Sequence, residues 1–325
     1  MTFTRIAVLV LVVSTLAAGR ARGAANFSIS YNGEGASEGF NDSTLGASRK
    51  SAFQAATSIW SGYLNSNVTI NINATFDSLG GTSTSATLGS AGATSVWRDF
   101  SSNNLKFQAS TWYAASLANH LHGSDLDTAV VEISAQFNSD VDNSTVLGST
   151  NFYYGTNSTP GSNVDFISVA LHEIGHGLGF SSRITSSTGA YNGGFPSAFD
   201  RYLELGNGTD LTSLTDAQRL SAITSGDIYW SGAGGIAGNG GIRPKLYAPN
   251  PYVSGSSISH LDETLYGGEL MSPIYSGVDH VPSAMELGML SDIGWSVNAV
   301  PEPGSALFGI ALAILPLRRC RRLLG

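Results

Sequence analysis

Two histidines one helical turn apart constrain this chain more than anything else in its 325 residues. They stand at His172 and His176 in a segment that runs from Ser162 to Phe180 and also holds Glu173, Gly175, Gly177 and Gly179. On an α-helix, positions i and i+4 share a face, so both imidazoles can reach one metal ion. Glu173 falls on the edge of that face, placed for a water on the metal rather than for the metal itself. Phe166, Val169, Ala170, Ile174 and Leu178 supply a buried stripe. Ser162, with Asp165 three residues on, predicts a capping box at the helix start. Each glycine weakens a helix by ~1 kcal/mol relative to alanine. Their presence predicts close packing against the helix and, at Gly179, a left-handed end. The rest of the chain must therefore hold this helix rigidly and bring further ligands to it.

A catalytic zinc takes three protein ligands and keeps one position open. The only cysteine, Cys320, lies near the C-terminus, so no thiolate or disulfide is expected in the body. The third ligand must come from elsewhere, and His260 and His280 are the candidates. His120 and His122 read as a solvated helix end. Asp140, Asp142 and Asn143 read as a polar turn, with a calcium cradle as the alternative. Tyr275 reads as a packed aromatic, with a transition-state contact as its alternative role.

Around the motif the pattern is strand, helix, strand. Phe27–Tyr31 alternates, residues 49–64 repeat apolar side chains at helical spacing, and Val68–Phe76 alternates again. A Gly/Ser-rich loop is expected over 79–94, a helix over Trp112–His122 and a further strand over Ala129–Phe137, whose edge is expected to pair with a bound peptide. Ser283 and Glu286 predict a capped helix to about Asp292, with Met285 and Met289 in the core. The glycine run 232–241 reads as a mobile surface loop. The fold class expected is α+β with a mixed sheet.

Only 12% of residues are charged and the net charge is −8, which argues against nucleic acid or anionic lipid as the main partner. Seven of the 16 basic residues lie in the two ends against a single acid, Glu302, so the body is more acidic still. Met1–Arg5, a 13-residue apolar run Ile6–Ala18 and small residues up to Ala25 have the layout of a secretory signal peptide, too short to span a bilayer. At the other end stand Pro301-Glu302-Pro303, the apolar stretch Ala306–Leu317 and the arginine cluster 318–322. This combination resembles the PEP-CTERM sorting tail of bacterial surface proteins. The resemblance implies an exosortase-type sorting enzyme as partner, transient membrane association through the tail, and delivery to the cell surface or extracellular matrix. The division expected is residues 1–25 as signal peptide, 26–300 as the domain (26–180 and 181–300 as its two subdomains) and 301–325 as the tail.

His172-Glu-x-x-His176-x-x-Gly179 is similar to the metzincin zinc-peptidase signature, and Leu270-Met271-x-Pro273 resembles the metzincin Met-turn. The short form of that signature has a ligand three residues after the glycine, where this chain has Ser182. A distant third histidine just before the Met-turn resembles the leishmanolysin-like branch. That resemblance favours His260 over His280, which lies after the Met-turn. It implies His172, His176 and His260 as zinc ligands, Glu173 as general base and Met271 as the floor beneath them. The function implied is an exported zinc endopeptidase acting on protein or peptide substrates. The alternatives are hydrolysis of another amide, such as cell-wall peptide, or an inactive zinc-binding matrix or adhesion protein.

Overall fold

A computed structural model describes residues 23–298 apart from 34 and 36. The expected sorting tail and all but the last three residues of the expected signal lie outside the described residues. Those three belong to the folded body: the Ala25 amide donates to the Leu64 carbonyl at 2.8 Å, and Ala24 bridges to Asn65.

The fold is mixed α/β. Strand β1 (Phe27–Ser30), helix α1 (Gly46–Tyr63), strand β2 (Ile70–Asp77), strand β3 (Gly89–Ala93), helix α2 (Ala115–His122) and strand β4 (Ile133–Asn138) precede the histidine helix α3 (Phe166–Gly177). The four strands form one mixed sheet in the order β1-β2-β4-β3. The first three run parallel, and β3 is antiparallel to β4. Alternation in β2 buries Ile70, Ile72, Ala74 and Phe76 on one face. That face meets α1 and α3 through a cluster of rings that includes Phe40, Phe53, Phe137 and Phe166.

Position in the sheet overturns one expectation. The strand expected over 129–137 is β4, and it is interior, hydrogen-bonded on both sides. The free edge on that side of the sheet belongs to β3, whose Gly-Ser-Ala-Gly-Ala sequence lies within the segment expected to be loop.

Two further corrections involve packing against the C-terminal residues 284–295. The glycine run 232–241 contains a helix, α4 (Ala233–Gly238), packed on the last helix α5 (Ala284–Ile293). A Cβ on Gly288 would lie 2.2 Å from the Gly234 carbonyl oxygen. The glycines serve close helix packing there rather than mobility. The Asp292 carboxylate holds the junction, accepting from Trp230 Nε1 and from the Gly234 and Gly235 amides at 2.9–3.0 Å. His120, expected in solvent, is buried and stacked on Trp295 with ring centres 4.8 Å apart. His122 remains near the surface beside the Ser101 carbonyl. The capping box expected at Ser283 is present, with Glu286 as its second member.

Candidate metal centre

Helix α3 starts later than the Ser162 reading predicts. Its cap is Asp165, whose Oδ1 accepts from both the amide and the hydroxyl of Ser168 at 2.8 Å. The Trp60 indole donates to the Leu171 carbonyl at 3.0 Å, which fixes α3 against α1. Gly175 lets Met271 approach: a Cβ there would sit 2.7 Å from the methionine sulfur. Gly177 likewise makes room for Ile133 of the sheet. Gly179, at φ +108°, turns the chain so that the Phe180 carbonyl faces back to His176.

Three imidazoles converge from α3 and from the loop that carries His260. Their Nε2 atoms lie 3.1 Å apart in each of the three pairs, among His172, His176 and His260. Each Nδ1 faces a backbone carbonyl: Leu270 at 2.6 Å, Phe180 at 2.8 Å and Ser256 at 2.8 Å, respectively. A carbonyl only accepts, so each ring carries its proton on Nδ1 and turns a lone pair inward at Nε2. Three lone pairs cannot satisfy one another, and a metal cation is the partner that satisfies all three. The spacing lets all three reach one ion at the ~2.0–2.1 Å of a zinc–imidazole bond. Burial lowers the pKa of all three rings, that of His176 to about 3, and so keeps them neutral as ligands must be.

Glu173 is buried beside this cluster at the foot of a cleft of about 910 Å³. Burial pushes its carboxyl up to about 8, opposed by a hydrogen bond from the Ala91 amide of β3. Gly89 of the same strand packs on Glu173, where a Cβ would come within 3.1 Å of its Cγ. The sheet edge and the acid are therefore built against each other.

Comparison of the chain with protein-family models, with curated proteins and with solved structures finds no match. The chemistry of the site is carried by its own side chains.

The other candidates have protein partners instead. His280 Nε2 lies 2.7 Å from Asp165 Oδ1, and its Nδ1 lies 3.2 Å from the Ser158 hydroxyl. It is an element of the α3 cap and stands outside the three-histidine cluster. Ser182 donates to Asp200 at 2.6 Å. Asp142 pairs with Arg49 at 2.6 Å and accepts from the Tyr154 hydroxyl, while Asp140 accepts from Ser78 and the Gly80 amide. These acids are held by protein donors, at a 3-10 helix over Ser139–Asp142. The Tyr275 hydroxyl lines the cleft and accepts from the Asp165 amide at 2.8 Å.

Three features of the site escape the sequence. The Ala91 amide on Glu173 belongs to a strand hidden by its glycines. The carbonyls that set the tautomers carry no side-chain signature. Glu286 reads as a capping residue, yet it also binds the Met271 amide at 2.6 Å.

Proposed function

We propose that this protein is an exported zinc-dependent endopeptidase of the metzincin type, nearest in layout to the leishmanolysin-like branch. The observation that carries the reading is the set of three converging Nε2 lone pairs with the Glu173 carboxyl buried beside it. A purely structural metal site has no use for an acid there. Met271, packed on Gly175 beneath the helix, and the free edge of β3 along the cleft support the same reading.

His172, His176 and His260 would hold the zinc. When bound, zinc supplies a Lewis acid that polarises the peptide carbonyl and lowers the pKa of a water to ~7. Beside the positive charge of a bound ion Glu173 would be held ionised against the effect of its burial. Its carboxylate takes a proton from the attacking water and delivers it to the leaving amine nitrogen. The outward backbone groups of β3 other than the Ala91 amide, which is engaged with Glu173, hold the substrate as an added strand, which keeps its scissile bond over Glu173. Exclusion of water by the buried walls strengthens each of these contacts.

The test compares casein digestion by the purified wild type and Glu173→Ala, with zinc content measured in both. Digestion lost with zinc retained supports the peptidase. Equal digestion by both marks a contaminant. A zinc-loaded wild type without activity on casein or on cell-wall peptide supports the matrix or adhesion alternative.

A further inference from the structure

Beside the main cleft lies a second cavity of about 190 Å³. It shares His176, Ser181 and Ser182 with the cleft and opens at the Gly92–Ala93 end of β3. Its size suits one side chain rather than a length of backbone. Trp112, Leu117 and Phe199 give it apolar walls, and Arg183 gives it a positive charge.

That charge has no partner among the described residues. Arg49, Arg98, Arg201, Arg219 and Arg243 all bond to acids or carbonyls. The Arg183 guanidinium has no hydrogen bond or ion pair among the described residues, and its Nε is a buried donor left unsatisfied. The cause lies in Asp200, the fully buried acid whose field it feels. Asp200 Oδ1 takes the Ser182 hydroxyl at 2.6 Å; Oδ2 takes the Ser197 amide at 2.9 Å and hydroxyl at 2.8 Å. The amide of Arg183 itself reaches both oxygens, at 3.3 and 3.1 Å. The carboxylate is saturated by these short-range donors, and the guanidinium is left to the cavity. Its two Nη atoms have no hydrogen bond among the described residues either and are not enclosed, so they are the donors that a group bound in the cavity can reach.

We propose that this cavity is a specificity subsite that receives an aspartate or glutamate side chain of the bound peptide, with Arg183 as its carboxylate partner. The inference rests on the peptidase reading for the existence of a bound peptide. A chain paired with the outer edge of β3 sends alternate side chains to the same side. As it passes Ala91 at the Glu173 end and continues to Ala93, it brings one of them to the cavity mouth. Gly92 opens onto free space there, with nothing within 4 Å of where its Cβ would be. The planar guanidinium fork matches a carboxylate in two parallel hydrogen bonds, which neither an amide nor a lysine side chain can reproduce.

The test has two arms. In the first, the purified protein digests a mixed peptide library and the cut sites are read by mass spectrometry. Acidic residues are expected to be enriched at one fixed position from the cut, on the order of 10- to 100-fold over Gln. Arg183→Gln brings that ratio to about one, and Arg183→Glu turns the preference toward Lys and Arg. A purely structural Arg183 would lower all cleavage together and leave the preference in place, which overturns the proposal. The second arm uses Glu173→Ala and measures the affinity of labelled, capped alanine-rich peptides that differ only by Glu, Gln or Lys at one position. A Glu preference that vanishes with Arg183→Gln supports the subsite even if the wild type cuts nothing, in which case the peptidase reading alone falls. No Glu preference in either arm overturns the subsite while leaving the peptidase standing wherever cleavage is seen.

Discussion

The Met271 amide donates to the Glu286 carboxyl across 2.6 Å, and this bond ties the last helix to the underside of the histidine helix. Met271 packs on Gly175 of α3, while Glu286 caps α5 through the Ser283 amide and hydroxyl at 2.8 and 2.9 Å. One buried acid therefore sets both the start of a helix and the position of the residue beneath the three-histidine cluster.

That acid makes stability fall with pH. Burial pushes the Glu286 carboxyl up to about 8 from its ordinary 4.5, against the Met271 and Ser283 amides that favour ionisation. Between those values the unfolded chain has released the proton and the folded one still binds it. The stabilisation is thus complete below about 4.5 and is lost as pH rises toward 8, at up to ~1.4 kcal/mol per pH unit. In Glu286→Gln nothing titrates there. Urea unfolding of both proteins at intervals from pH 5 to 8 should show the gap closing in favour of the variant. A gap that stays constant across the range would mean that Glu286 is ionised throughout in the folded protein.

Zinc binding should depend on His260 and not on His280. His260 turns its Nε2 to the other two rings at 3.1 Å, whereas His280 is engaged with Asp165 at 2.7 Å. Dialysed wild type and His280→Ala are expected to hold near one zinc per chain by elemental analysis. His260→Ala should bind more weakly by well over ~100-fold, the upper end for losing a group that only supports a ligand. Zinc kept without His260 but lost without His280 would break the assignment. Chelation should also lower the unfolding temperature of the wild type, since an ion that binds only the folded chain at 100 times its Kd adds ~2.7 kcal/mol.

What could be read from the sequence divides along a physical line. His172, Glu173 and His176 are legible because a helix converts fixed spacing into a shared face. His260 is legible only through the Met271 segment beside it. The mixed sheet is legible where side chains alternate, as in β2. Strand β3 is hidden, because Gly89, which lets Glu173 and Phe137 come close, and Gly92 leave no apolar alternation. The run 232–241 misleads for the same reason, as Gly232, Gly234, Gly235 and Gly238 answer to α5, some fifty residues later. His120 stacks on Trp295, a partner no local pattern names. Local periodicity finds elements, and long-range contacts decide which face, edge or neighbour each one meets.

Two glycine substitutions should move stability in opposite directions. Gly62 lies in α1 with nothing within 4 Å of a Cβ and no positive φ, so Gly62→Ala is expected to stabilise by ~0.5–1 kcal/mol. Gly288 sits in α5 where a Cβ would meet the Gly234 carbonyl at 2.2 Å and its carbon at 2.4 Å. Backbone cannot swing aside as a flexible side chain can. Gly288→Ala should therefore destabilise by ~3 kcal/mol or more, at or above the usual range for overpacking. Thermal unfolding of the pair decides it, and a neutral Gly288→Ala would show that α4 does not pack on α5.

The cap of the histidine helix should fail in acid. Asp165 is fully buried, and its Oδ1 accepts from the Ser168 amide and hydroxyl and from His280 Nε2. Burial alone would raise its pKa, but the His280 and Ser168 bonds outweigh it and hold the carboxyl below its ordinary 3.8. A depressed acid stabilises the fold above its unfolded value, and that contribution is lost as pH falls through the folded one. Asp165→Asn keeps a side chain able to cap α3 but gives up the charged bond to His280. It should cost ~1.5–3 kcal/mol at neutral pH, the range for a hydrogen bond to a charged group. The cost should shrink below about pH 4, where the wild type begins to lose the same interaction. Unfolding of both proteins at pH 7 and pH 3 measures it, and a cost that does not change with pH would show that the Asp165 charge contributes nothing to the cap.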